Sequence, residues 1–151
     1  MNGKIGGQCV WFLLLQCSGL IPKEIEFSAP PEFGGLAGVW TPEHFFLSAV
    51  ASCFVATLEA IAKASDFQFS SLTVIAEGIV EKVESRMKIS SVTINPTLTI
   101  ESEEDRSHGA KLLNKTERSC IVANSLSASV AFAPRITALK HPEDAATVLG
   151  R

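Results

Sequence analysis

At 151 residues the chain is long enough for one domain, residues 1–151, with a substantial hydrophobic core. A net charge of −3 and scattered lysines and arginines exclude partners that require a basic surface, nucleic acid and anionic membrane among them. Apolar residues make up 46% of the sequence and charged ones only 19%, more apolar surface than one small core absorbs, so an obligate homodimer is expected.

Along the chain, Gln8 to Gln16 is apolar nearly throughout, which suits a strand covered on both faces or lying in an interface. The alternative is a secretory leader, because Cys9–Leu15 resembles its apolar region and Leu14-Leu15-Gln16-Cys17 faintly resembles a lipoprotein cleavage box. That run is at the short end for a leader, Gln16 is too large for the peptidase's small residue, and the run is too short to cross a bilayer. A buried first strand in a cytoplasmic protein is therefore expected, with Cys9 and Cys17 as strand filler. Lys23 to Ser28 alternates polar and apolar side chains, the mark of a half-buried strand. Pro30-Pro31-Glu32-Phe33-Gly34-Gly35-Leu36-Ala37-Gly38 cannot hold a ladder and forms a shaped loop.

The loop leads into a long helix. Thr41 caps it, Pro42 suits the first helical position, and Glu43 falls in the first turn, where the dipole favours negative charge. Phe46, Val50, Cys53, Phe54, Thr57 and Ile61 follow helical spacing, and from Phe45 to Ile61 the only charge is Glu59. A helix apolar most of the way round is expected to be buried. Ser70–Val83 and Met87–Ile100 are β-branched and alternate by two, with Glu84-Ser85-Arg86 as a hairpin connection. Pro96 predicts a bulge or a sheet edge in the second of these strands. Acidic residues 101–105 lead into a helix from about Arg106 to Arg118, a polarity that suits the dipole. Ile121–Leu126 adds a helical turn, Ser127–Thr137 reads as one final strand, and His141–Arg151 as a loose tail. The order predicts an α+β fold.

Four cysteines lack the short paired spacings of zinc sites, and none of the three histidines stands near a cysteine in sequence; neither a metal site nor a disulfide scaffold is expected. Cys53 on its apolar helix face reads as core filler unless a donor or cation reaches its sulfur. Cys120, after a helix end and beside Arg118 and Ser119, is better placed for a reactive or resolving thiol. Glu43 is either a dipole partner or a carboxylate that orients a cation or takes a proton beside Cys53. His44 reads as a packed or exposed helix residue. Ser48 and Ser52 lack a nucleophile elbow, and Gly34-Gly35 precedes no phosphate-binding lysine.

Pro30-Pro31-Glu32-Phe33-Gly34-Gly35, Thr41-Pro42-Glu43-His44-Phe45-Phe46 and Ala49-Val50-Ala51-Ser52-Cys53-Phe54 together resemble the first signature of the OsmC/Ohr family. Lys115-Thr116-Glu117-Arg118-Ser119-Cys120 with Asn124-Ser125 resembles the second, and the likeness covers roughly residues 20 to 137. It implies an OsmC-like fold, with antiparallel sheets packed around a long buried central helix in an intertwined homodimer. It also implies a thiol-dependent peroxidase for organic hydroperoxides. Cys53 would be the peroxidatic thiolate, Cys120 the resolving thiol, and Glu43 the carboxylate that pairs with an arginine near the thiol. No cofactor is implied beyond an external dithiol reductant. The sequence departs from the pattern at that arginine: the first arginine is Arg86, and Lys4 and Lys23 are the only early side-chain cations. The expected activity is reduction of apolar hydroperoxides. The competing expectations are a binding protein of the same fold with little turnover, and a structural role with both cysteines as filler.

Overall fold

Proline and glycine set the boundaries of the elements, and hydrophobic periodicity sets their faces. The computed structural model describes residues 25–139 and, before them, the backbone of four short strands. These are β1 (Asn2–Ile5), β2 (Gln8–Leu13), β3 (Gln16–Cys17) and β4 (Gly19–Leu20). The expected tail His141–Arg151, the strand start Lys23-Glu24, and the side chains of Lys4, Cys9 and Cys17 lie outside the described residues. The chain forms two compact units, Met1–Ser48 and Ala49–Arg151.

In the first unit, β2 pairs antiparallel with β1 on one side and with β5 (Ile25–Phe27) on the other. The apolar run from Gln8 is thus a strand as far as Leu13. A 3₁₀ turn over Pro31–Phe33 shapes the loop, and Ser28 ties it together. The Ser28 amide donates to the Trp40 carbonyl at 2.9 Å, and its hydroxyl accepts from the Leu36 amide at 3.0 Å. Gly35 is required here, because a Cβ built on it would stand 1.6 Å from the Ala29 carbonyl oxygen. Trp40 stacks on Phe45 with ring centroids 5.6 Å apart.

Helix α1 (Pro42–Ala64) begins in this unit. The His44 amide donates to Thr41 Oγ1 at 3.3 Å, and the Thr41 amide donates to His44 Nδ1 at 3.1 Å. This is a capping box with histidine in the place usually held by glutamate. In the second unit α1 buries one stripe, Val50, Phe54, Leu58 and Ala62, spaced four residues apart. The expectation of a helix buried most of the way round is therefore not met within this chain: Ser52, Ala56, Glu59 and Ala60 are exposed. By length and composition α1 also meets the requirement for a membrane-crossing helix, a test that soluble core helices pass as well.

The second unit carries the main sheet. β6 (Ser71–Val83) and β7 (Arg86–Ile100) form an antiparallel hairpin whose turn residues, Glu84 and Ser85, have φ of 49° and 67°. Positive φ at both central positions gives the hairpin-compatible twist. On β7 the even-numbered residues Val92, Ile94, Leu98 and Ile100 are fully buried and the odd ones are half-exposed. Against this face packs α2 (Arg106–Ser119), which contributes Leu112, Leu113 and Thr116. Gly109 lets the helix come close, since a Cβ there would lie 3.2 Å from Leu98 Cδ2. A single helical turn, α3 (Ile121–Asn124), follows α2.

Three expectations about this sheet are corrected. It is mixed rather than antiparallel, because β8 (Ser129–Phe132) and β9 (Arg135–Ala138) both run parallel to β7. The expected single strand from Ser127 to Thr137 is these two strands, broken at Ala133-Pro134. Pro96 is neither at a bulge nor on an edge strand: the bulge lies at Ile79/Val80, and Pro96 pairs with Val74. The Ile94 and Ile100 carbonyls accept from the Ala133 and Leu139 amides at 3.0 and 2.9 Å, so even-numbered residues turn their polar groups toward β8 and β9. Pro96 therefore lacks its N–H on that side, at the level where β8 gives way to β9.

Candidate active site

Cys53 lies on α1, half-buried, and Cys120 is fully buried in the link between α2 and α3. Cys120 has extended backbone, φ −70° and ψ 106°, which ends one helix and starts the next. Its amide donates to the Glu117 carbonyl at 3.4 Å, and its carbonyl accepts from the Asn124 amide at 3.0 Å. The Asn124 side chain closes the corner by donating from Nδ2 to the Arg118 carbonyl at 2.8 Å. The Asn124 of the second motif thus holds the turn that presents Cys120.

This turn brings the two thiols together. The Cys53 sulfur lies near four groups that favour its thiolate, the Cys120 thiol, the Thr57 hydroxyl and the backbone amides of Val122 and Ile121. Burial works to raise the Cys53 thiol, but these donors outweigh it and hold its pKa below the ordinary value. Cys120 moves the other way. Burial is the main cause, the neighbouring Cys53 thiol and the charge there add to it, and the Ala123 and Val122 amides offset part of it. The pair therefore has unequal members, one thiol biased toward thiolate and one kept protonated as a donor. The groups that stabilise the Cys53 thiolate are neutral.

Beside this pair, Phe54 is fully buried and meets Phe132 with centroids 5.8 Å apart. Glu43 belongs to the first unit, in the first turn of α1. Its Oε2 is buried and has no hydrogen-bond partner among the described residues. His44 is engaged in the helix cap, as its reading as an ordinary helix residue allows. The first unit also holds a cavity of about 570 Å³ lined by Ile25, Val39, Trp40 and Phe45 among others. Among the described residues, no three His, Cys, Asp or Glu side chains converge as a metal's ligands would.

Sequence reasoning named Cys53, Cys120 and Glu43 as candidates and did not name Thr57 or the α3 amides, which lie near the Cys53 sulfur. Thr57 carried a usable signal, since a hydroxyl four residues beyond Cys53 shares its helix face. The amides of Ile121 and Val122 carried none, because any residue supplies a backbone N–H.

The family model described as OsmC-like protein matches residues 35–134, which include both cysteines. The uncharacterized protein YmaD of Bacillus subtilis is 26% identical over 106 residues, covering 68% of this chain and 71% of that protein. Among solved structures, an OsmC-like protein of unknown function from Vibrio cholerae superposes with a TM-score of 0.65 at 23% identity, covering 74% of this chain and 77% of that one. The organic hydroperoxide resistance protein OhrB of Bacillus subtilis gives a TM-score of 0.58 at 18% identity, covering 85% and 97%. At these identities the structural likenesses speak for the fold, while the family model spans two-thirds of the chain and both cysteine motifs. The chain belongs to the OsmC/Ohr family of OsmC-like proteins.

Proposed function

We propose that the protein is a thiol-dependent peroxidase that reduces organic hydroperoxides. The observation that carries this reading is the closeness of the Cys120 and Cys53 thiols, near enough that each shifts the other's acidity. It joins a thiol held below its ordinary pKa to a second thiol close enough to trap what the first becomes. In the proposed cycle the Cys53 thiolate attacks the distal peroxide oxygen, the O–O bond breaks, and the alkoxide leaves and takes a proton as the alcohol. Cys53 is then a sulfenic acid. The Cys120 thiol displaces its hydroxyl as water, a Cys53–Cys120 disulfide forms, and an external dithiol reduces it. No bound cofactor is needed.

The apolar surface that α1 leaves exposed supports a homodimer in which a second chain covers that helix. This reading makes α1 a core helix of a cytoplasmic protein. The phenylalanines beside Cys53 favour an apolar peroxide.

One observation favours a second reading, a binding protein with little turnover: Glu43 Oε2 is buried and has no hydrogen-bond partner among the described residues. One experiment separates the two. The reduced protein is given one equivalent of cumene hydroperoxide and digested for mass spectrometry beside a Cys53→Ser control. Rapid formation of a Cys53–Cys120 disulfide, absent from the control, is expected. Two reduced thiols in folded protein would refute the peroxidase and leave the binding protein.

A further inference from the structure

The sheet face turned away from α2 carries a hollow of about 280 Å³, lined by Ile75, Glu77, Asn95, Thr97, Ala133 and Arg135. These residues all have odd numbers, so they point away from the buried Ile94 and Leu98, which face the helix. The hollow follows from the strand pairing. β8 covers β7 as far as Ile94 and β9 resumes at Thr97, so Asn95 and Pro96 pair with no residue of either strand. The chain crosses this gap as Ala133-Pro134. Ala133, held by its amide on the Ile94 carbonyl at 3.0 Å, has only a methyl to fill the space. Ile75, exposed and opposite Asn95 in the register, forms an apolar wall.

The polar groups of the hollow form two poles. Asn95 donates from Nδ2 to Glu77 Oε2 at 2.8 Å, which fixes the carboxylate on one side. Asn95 Oδ1 and Glu77 Oε1 remain as acceptors. Arg135, the first residue of β9 and level with Thr97, supplies the other pole. It forms no ion pair among the described residues, so Arg135 and Glu77 share one hollow without neutralising each other.

We propose that this hollow binds a small zwitterion, a free α-amino acid with a short apolar side chain. Its carboxylate meets the planar fork of Arg135, its ammonium meets Glu77 and Asn95, and its side chain rests on Ile75 and the Ala133 methyl. A simple anion would also face the Glu77 carboxylate, and a simple cation the Arg135 guanidinium; a zwitterion satisfies both poles. The volume is below the roughly 300–1,000 Å³ of sites for drug-sized ligands, which limits the occupant to about one amino acid. The site lies on the opposite face of the sheet from α2 and does not depend on peroxide chemistry.

The test is an NMR titration of the reduced, isotope-labelled full-length protein with three probes of similar shape. L-valine carries both charges, isovalerate lacks the ammonium, and L-valinamide lacks the carboxylate. Saturable shifts of the Asn95 side-chain amide and the Arg135 backbone amide are expected with L-valine. The other two probes are expected to bind about tenfold more weakly, each having lost one charge-assisted contact. Arg135→Gln is expected to lower L-valine affinity to that of L-valinamide for the parent, and Glu77→Gln to that of isovalerate. Both positions are exposed, and the rest of the amide spectrum checks that each variant is folded. If a variant unfolds, the comparison of probes on the parent decides alone. No saturable shift with L-valine overturns the proposal. So does isovalerate or L-valinamide binding as tightly as L-valine, which would make the hollow a simple anion or cation site. Full L-valine affinity in folded Arg135→Gln overturns it as well.

Discussion

Replacing Cys120 by alanine separates the two halves of the proposed cycle. The stability cost follows from the site. Cys120 is fully buried, so the change removes one sulfur from the core. The lost transfer free energy is about 1 kcal/mol, and the small void adds roughly half as much. For a chain of this size about 1.5 kcal/mol lowers the melting temperature by roughly 3–6 °C, so the variant remains folded at room temperature. Cys53 also loses one of its donors. A hydrogen bond to a charged group contributes roughly 1.5–3 kcal/mol. A thiol is a weak donor and Cys53 is partly open to water, so about half a pH unit upward is the reasonable expectation. At neutral pH the first reaction with peroxide then slows only about threefold. The second half of the cycle is lost: each chain consumes one equivalent of cumene hydroperoxide, and the sulfenic acid persists and is captured by dimedone on the Cys53 peptide. Stopped-flow peroxide consumption and mass spectrometry read both effects. A Cys120→Ala variant that turns over with dithiol as fast as the parent, and yields no dimedone adduct, would refute the resolving role.

The remaining expectations concern titration, core and loop. Because Cys53 lies below and Cys120 above the ordinary thiol value, raising pH is expected to expose Cys53 to iodoacetamide first and Cys120 only later. The Cys53 midpoint should not move with added salt, since its donors are neutral; a strongly salt-dependent midpoint would point to a cation instead. Leu58→Ala, at a fully buried position on α1, should cost about 3 kcal/mol in urea unfolding with an unchanged slope, and a loss under 1 kcal/mol would mean that the α1 stripe is poorly packed. Gly35→Ala must push the Ala29 carbonyl aside, so faster limited proteolysis between residues 29 and 38 is expected, and parental resistance would contradict the close approach seen there.

The helices were more legible in the sequence than the sheet. Thr41-Pro42-Glu43 is a helix start that needs no tertiary information, and α1 begins at Pro42 as expected. The acidic-to-basic polarity of residues 101–118 likewise located α2 within a residue. Strand partners are a different kind of information. Alternation in Ser127–Thr137 shows that the backbone is extended, yet nothing in a period of two tells whether its neighbour runs parallel. Pro96 was misread because a strand proline is forbidden only where its N–H is needed, and that need depends on the partner strand. Of the site, both cysteines were visible through their flanking residues. The donors that make them unequal were not, because two are backbone amides placed by the corner at Cys120.

The parallel return of β8 and β9 has a consequence for the order of folding. β6 and β7 are joined by a two-residue turn, so their ladder can zip from a local start. Thr99 and Thr137 are 38 residues apart in sequence, and the chain between them must be laid down as α2 and α3 before β9 can close on β7. The corner that carries Cys120 lies inside that closing loop. The two thiols are therefore expected to meet late, after the hairpin has formed, and pulsed alkylation during refolding should find Cys53 open well after the hairpin amides are protected. A chain assembled in this order keeps its two cysteines apart until the surrounding structure is complete, which makes their meeting a sign that folding has finished.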